Sequence, residues 1–146
     1  MKKVIIFPSN NVLDSSMAWN YFSRRLKLSS DKLSSVKEEY FLPAKKGSLK
    51  KREFIDKLSK YLHINKKELL NVFYIGGKML KTNKKVIKFA KKLKKQGYKV
   101  IIVGNSTDIL SSLKVEKETY RQFSKSFMSY QLGALKSEPL FYKRLL

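Results

Sequence analysis

The run Val100-Ile101-Ile102-Val103 constrains this chain more than any other segment. Four consecutive apolar residues leave no polar face, so a strand built from them must be covered on both sides, as in a parallel sheet flanked by helices. Around it the pattern reads strand, helical insertion, helix, strand, helix, strand and short terminal helix. That order predicts an α/β protein rather than a helical bundle.

The insertion runs from Asp14 to Lys78 and carries four helical stripes. Met17, Trp19, Tyr21, Phe22 and Leu26 mark the first, and Leu33, Val36, Tyr40 and Phe41 the second, which Pro43 is expected to end. Gly47-Ser48 breaks the chain before Phe54, Ile55, Leu58 and Leu62. Asn65 to Glu68 has the form of a capping box opening the fourth helix, whose apolar face is Leu69, Leu70, Val72 and Phe73. Aromatics at this spacing bury one another, so Trp19, Tyr21 and Phe22 are read as core. His63, flanked by Leu62 and Ile64, is read as a packing or surface residue.

After the insertion, Val86, Ile87, Ala90 and Leu93 interrupt a lysine run (Lys84, Lys85, Lys88, Lys91, Lys92, Lys94, Lys95) at helical spacing, giving one buried stripe and one solvated face. Ser106 is placed to cap a helix carrying Ile109, Leu110 and Leu113. Ser137 with Pro139 reads as the start of the last helix.

Composition sets independent limits. With 42% hydrophobic and 12% aromatic residues over 146 positions, there is enough apolar surface to offset chain entropy in one domain or a small core with an inserted subdomain. The absence of cysteine excludes disulfides, thiolate zinc sites and cysteine nucleophiles, and the lone His63 cannot build a metal cluster. Met1-Lys2-Lys3 precedes an apolar run that ends at Pro8, short of the roughly 7–15 apolar residues of a signal peptide. No stretch approaches a transmembrane span, so a cytoplasmic protein with no membrane partner is expected. A net charge of +22 draws polyanions, which makes nucleic acid an alternative partner through the basic surface. Arg24, Arg25, Arg52, Arg121 and Arg144 are the arginines among 33 basic residues, so phosphate-clamping forks are scarce, and no nucleic-acid motif accompanies the charge.

Three segments in order carry a resemblance. Val4-Ile5-Ile6-Phe7 leads into Pro8-Ser9-Asn10-Asn11. Lys99-Val100-Ile101-Ile102-Val103 ends in Gly104-Asn105-Ser106. Phe127-Met128-Ser129-Tyr130-Gln131-Leu132-Gly133-Ala134-Leu135 reaches Lys136-Ser137-Glu138-Pro139. Together they resemble the first three motifs of the haloacid dehalogenase (HAD) superfamily, in the branch with a helical cap inserted after the first core strand.

The resemblance implies a Rossmann-like core of parallel strands from residues 1–13 and 79–146 and a helical cap from 14–78. It also implies where chemistry is missing. The family's first motif supplies a nucleophilic aspartate and an acid/base aspartate beside a magnesium ion, and Pro8 and Asn10 stand in their places. Proline has no nucleophilic side-chain atom, and an amide cannot exchange a proton near neutral pH as a carboxylate does. Gly104 replaces the hydroxyl residue of the second motif, and the acidic fourth motif does not follow Pro139, so the chain reads as a degenerate relative shortened at its C-terminus. Asn105 and Lys136 match the family and remain candidates to hold a phosphate or another small anionic ligand. Asp14 and Asp108 lie near the motifs without occupying family catalytic positions.

The expectation is a HAD-hydrolase-like protein without hydrolase activity, acting by ligand or partner binding and needing no cofactor. Two alternatives stay open: an active phosphohydrolase with an atypical, magnesium-dependent site, and a basic nucleic-acid-binding protein. In the family a further strand lies beside the first. Val4 to Phe7 is therefore expected to be an unprotected edge, completed by a second copy in a homo-oligomer or by a separate chain.

Overall fold

The computed structural model describes residues 3–146. Met1 and Lys2, which the sequence reading assigned to the core and weighed as a leader, lie outside the described residues. In chain order the elements are β1 (Val4–Pro8), a 3-10 turn (Ser9–Asn11), β2 (Leu13–Asp14), α1 (Ser16–Arg25), α2 (Ser30–Val36), a π-helical stretch (Lys37–Phe41), α3 (Leu42–Lys45), α4 (Lys51–Leu62) and α5 (Lys66–Gly77). They continue as β3 (Lys81–Thr82), α6 (Lys84–Lys95), β4 (Lys99–Gly104), α7 (Asp108–Ser111), α8 (Lys114–Tyr120), β5 (Lys125–Met128), α9 (Ser129–Leu132) and α10 (Pro139–Leu145).

The main sheet has the order β1-β4-β5 with both pairings parallel, as the sequence predicts. Ile6 lies opposite Ile101 and Pro8 opposite Val103, so equivalent residues of neighbouring strands share a face. On one face Val100, Ile102 and Met128 pack with Ala90 and Leu93 of α6 and with Phe123, joined by Ile5 and Phe7. On the other, Ile101 and Val103 pack on Ala134 and on Phe141 of α10. The apolar run of β4 is thus buried on both sides, and the lysines of α6 stand on its solvated face. The helix α10 covers β4 and β5 but stops short of β1. Val4 is 50% and Ile6 46% exposed on that edge strand.

The helices between β2 and β3 form their own apolar cluster around Phe41, Phe54, Leu58, Leu69 and Val72. Phe41 is its centre, with ring centroids 4.9 Å from Trp19, 5.0 Å from Phe54 and 5.9 Å from Phe22, each edge-on as ring quadrupoles prefer. The chain enters and leaves this unit through the short antiparallel ribbon of β2 and β3, where Leu13 pairs with Thr82 and Asp14 with Lys81. Among the described residues no helix is long and apolar enough to cross a membrane.

Several local expectations are corrected. Pro43 does not end the second helix, which runs from Ser30 to Lys45. The π-helical stretch ends in a bond from the Leu42 N–H to the Lys37 carbonyl, and this wider turn makes room for a ring that cannot donate. The helix stops instead at Gly47, at φ 78°, where the Ser48 N–H bonds Pro43 O and the Gly47 N–H bonds Ala44 O in a Schellman closure. Leu70 is exposed on α5, whose buried side is Leu69, Val72, Phe73, Gly76 and Gly77. Ile109 and Leu110 pack against the helical unit rather than the sheet. Thr107, not Ser106, caps α7, and Glu138 rather than Ser137 precedes α10.

Candidate functional site

Parallel strands end on the same side of the sheet, so the loops after β1 and β4 meet there, and ligands of open α/β sheets bind outside these ends. The pairing of Pro8 with Val103 sets the 3-10 turn at Ser9–Asn11 beside the end of β4. A cavity of about 190 Å³ opens at this point, between the strand ends and the helical unit. Ser9, Asn10, Asn105 and Ser106 line it from the sheet side. Trp19, Phe22, Phe41, Val72 and Phe73 form its apolar wall, so two aromatics read as core also face the cavity. Lys45 reaches it from the end of α3. Burial pushes the Lys45 ammonium below the usual lysine range, and the nearby charge of Lys37 adds to the effect.

The degenerate positions have a steric logic. A Cβ placed on Gly104 would fall onto the hydroxyl of Ser9 and lie 2.6 Å from its Cβ. The side chain of Ser9 therefore fills the space that a serine or threonine at 104 would take. Pro8 offers no side-chain polar atom, and Asn10 brings only an amide.

Asn105 and Lys136 are brought together: the Lys136 N–H donates to Asn105 Oδ1 at 2.8 Å. This bond orients the amide and leaves the Asn105 Nδ2 donors for the cavity, which Asn105 lines. Lys136 itself meets the site through its backbone, and its side chain is not part of the cavity wall. Neither Asp14 nor Asp108 lines the cavity. Asp14 Oδ1 accepts from the Ser16 N–H at 2.9 Å, a bond that holds its carboxyl below the usual range. Asp108 Oδ2 accepts from the Lys51 N–H at 2.8 Å and so closes the first turn of α4 from across the molecule. Among the described residues no three His, Cys, Asp or Glu side chains stand close enough to hold a metal ion together.

Sequence reasoning missed the carboxyl that does line the cavity, Glu116 on α8, which is 5% exposed. Its Oε1 accepts from Ser106 Oγ at 2.6 Å, Tyr120 Oη at 2.6 Å and Ser111 Oγ at 3.3 Å. Ser106 is held in turn by Ser129, whose Oγ accepts from the Ser106 N–H at 3.1 Å. A signal was present: Leu113, Glu116 and Tyr120 are spaced by three and four, which puts a glutamate on the buried stripe of a helix. Burial pushes the Glu116 carboxyl up, against the downward pull of its three hydroxyl donors. Burial and the neighbouring Glu116 likewise push the Tyr120 phenol up.

No protein-family model matches the chain, and no curated protein matches it. Solved structures do. A HAD family enzyme from Bacteroides thetaiotaomicron superposes with a TM-score of 0.73 at 19% identity, covering 99% of this chain and 76% of that one. The same enzyme in complex with magnesium and inorganic phosphate gives 0.70 at 19% identity, covering 99% and 77%. A predicted HAD-like family hydrolase from Porphyromonas gingivalis gives 0.69 at 15% identity, covering 99% and 75%. The fold of this chain is that of HAD-like hydrolases.

Two outcomes follow from the site. Gly104→Ser is expected to cost about 1–3 kcal/mol through overpacking against Ser9, and Ser9→Gly in the same chain to recover most of it; urea unfolding of the two single variants and the double reads this coupling, and simple additivity of the losses would refute it. The raised Glu116 carboxyl keeps its proton in the folded state at pH values where the unfolded chain has released it. Its contribution to stability is therefore complete below the ordinary glutamate value and is lost as pH rises through the raised one. Glu116→Gln cannot titrate, so the stability of wild type relative to this variant should fall across that window; a pH-independent difference would contradict the assignment.

Proposed function

We propose that this protein is a non-hydrolysing member of the HAD-like fold that binds a small molecule in the cavity between the sheet end and the helical unit. The observation that carries the reading is the donor set after β1 and β4. Ser9, Asn10 and Asn105 all line the cavity, all are neutral, and each offers an O–H or N–H donor. A phosphate or other small anion is satisfied by such donors. A magnesium ion prefers carboxylate and phosphate oxygens in octahedral array, and the residues here do not fit it. No cofactor is assigned, and Asn105, oriented by the Lys136 N–H, is the proposed anion-holding residue.

Hydrolysis by the route of the neighbouring folds would need a nucleophile and an acid/base group at the end of β1. Pro8 and Asn10 supply neither. Glu116 has one oxygen engaged by three hydroxyls and makes no hydrogen bond to Ser9, which makes it a poor general base for attack there.

A partner is supported by a separate observation. Val4 and Ile6 are half exposed on an edge strand whose outer backbone groups have no strand beside them in the sheet. Such edges template further pairing, and a second copy of the chain is the proposed occupant. A sharp monomer by light scattering across a wide concentration range would remove this proposal.

Purified, folded protein is expected to show no magnesium-dependent hydrolysis of an aryl phosphate above the level of a parallel Asn105→Ala preparation, since Asn105 lines the cavity. Inorganic phosphate should nonetheless raise the unfolding temperature of wild type, as any ligand bound only by the native state does, and raise that of Asn105→Ala less. Turnover present in wild type and absent from Asn105→Ala would overturn the non-hydrolysing reading.

A further inference from the structure

The inner wall of the cavity carries an unsatisfied demand that the anion site does not explain. All three hydrogen bonds received by Glu116 go to Oε1. Oε2 accepts none from the protein, yet it is not sealed: among the described residues the one buried side-chain polar atom without a partner is Asp108 Oδ1. Oε2 therefore keeps some exposure, on a residue that lines the cavity. Glu116 also makes no ion pair among the described residues, although Lys45 lines the same space.

A carboxylate taken out of water with no counter-cation is costly, and three hydroxyl donors gathered on one oxygen stabilise its charged form without neutralising it. A donor with positive charge reaching the second oxygen offsets that cost and favours the ionised form. The same cavity is lined by Trp19, Phe22, Phe41 and Phe73, an aromatic surface able to hold a flat apolar body and to favour a cation over its ring faces. The cavity, at about 190 Å³, exceeds the roughly 150 Å³ that accepts a benzene molecule in an engineered protein core.

We infer that the cavity takes a small organic amine, with its ammonium group on Glu116 Oε2 and its apolar body against the aromatic wall. This assignment rests on the cavity being a ligand site, as proposed above, and adds the chemical class of the occupant. The hydroxyls of Ser106, Ser111 and Tyr120 act as positioning groups that hold the carboxyl in one rotamer. The Ser9, Asn10 and Asn105 end is left to receive an anionic substituent of the same molecule or a separate anion.

Trp19, the only tryptophan of the chain, lines the cavity and reports on its filling. Benzylamine and benzyl alcohol, which share a ring and differ in charge, are titrated into the full chain at neutral pH and followed by Trp19 fluorescence. Wild type should bind the amine at least about tenfold more tightly than the alcohol, a free-energy difference of about 1.4 kcal/mol, and Glu116→Gln should erase the preference. Equal binding of the two probes by wild type overturns the amine assignment and leaves the ligand-site reading standing, as does a preference that survives in Glu116→Gln. Failure of both probes to bind overturns the amine assignment, whereas the ligand-site reading is tested separately by the phosphate-dependent rise in unfolding temperature. The comparison within wild type needs no variant, so a Glu116→Gln protein that does not fold leaves the test decisive.

Discussion

The parallel pairing of β1 with β4 is the constraint on which the site depends. It brings two strands distant in sequence side by side with Pro8 opposite Val103, and the turn at Ser9 then lands against Gly104. A shift of one residue would reverse the faces of Ile5 and Phe7, exposing them and burying Val4 and Ile6 in their place. It would also remove the Ser9 side chain from the space over Gly104. Register, core and cavity are therefore set by one interaction, and the glycine at 104 is the steric counterpart of the serine at 9.

The chemistry that remains at the strand ends is hydrogen-bond donation without a carboxylate. Here neutral donors face the opening and the only carboxyl on the cavity wall, Glu116, stands deeper, on a helix outside the strand ends.

What was legible in the sequence was local or periodic. The apolar run of β4, the stripe of α6 and the cap at Asn65 each express a rule acting over a few residues, and each stands in the structure. What was not legible depends on partners far along the chain. Ser106 looks like a helix cap until Glu116 and Ser129 are found to hold it, and Gly104 looks like a loss until Ser9 is found in its space. The aromatic stripe of α1 was readable as buried, but no periodicity distinguishes a side chain buried against protein from one facing a cavity. Pro43 shows the converse, a strong local rule overridden when the helix widens into a π turn around the ring.

The helical unit is fastened to the sheet at places far apart. One is the β2–β3 ribbon. On the other side Gly47 lies against the backbone of Tyr130, Lys46 pairs with Glu138 at 3.4 Å, and Asp108 receives the Lys51 N–H. A body held by one strap can swing like a door, whereas one held at opposite rims behaves as a lid screwed down. Fastening at more than one place restrains hinge motion of the helical unit over the strand ends.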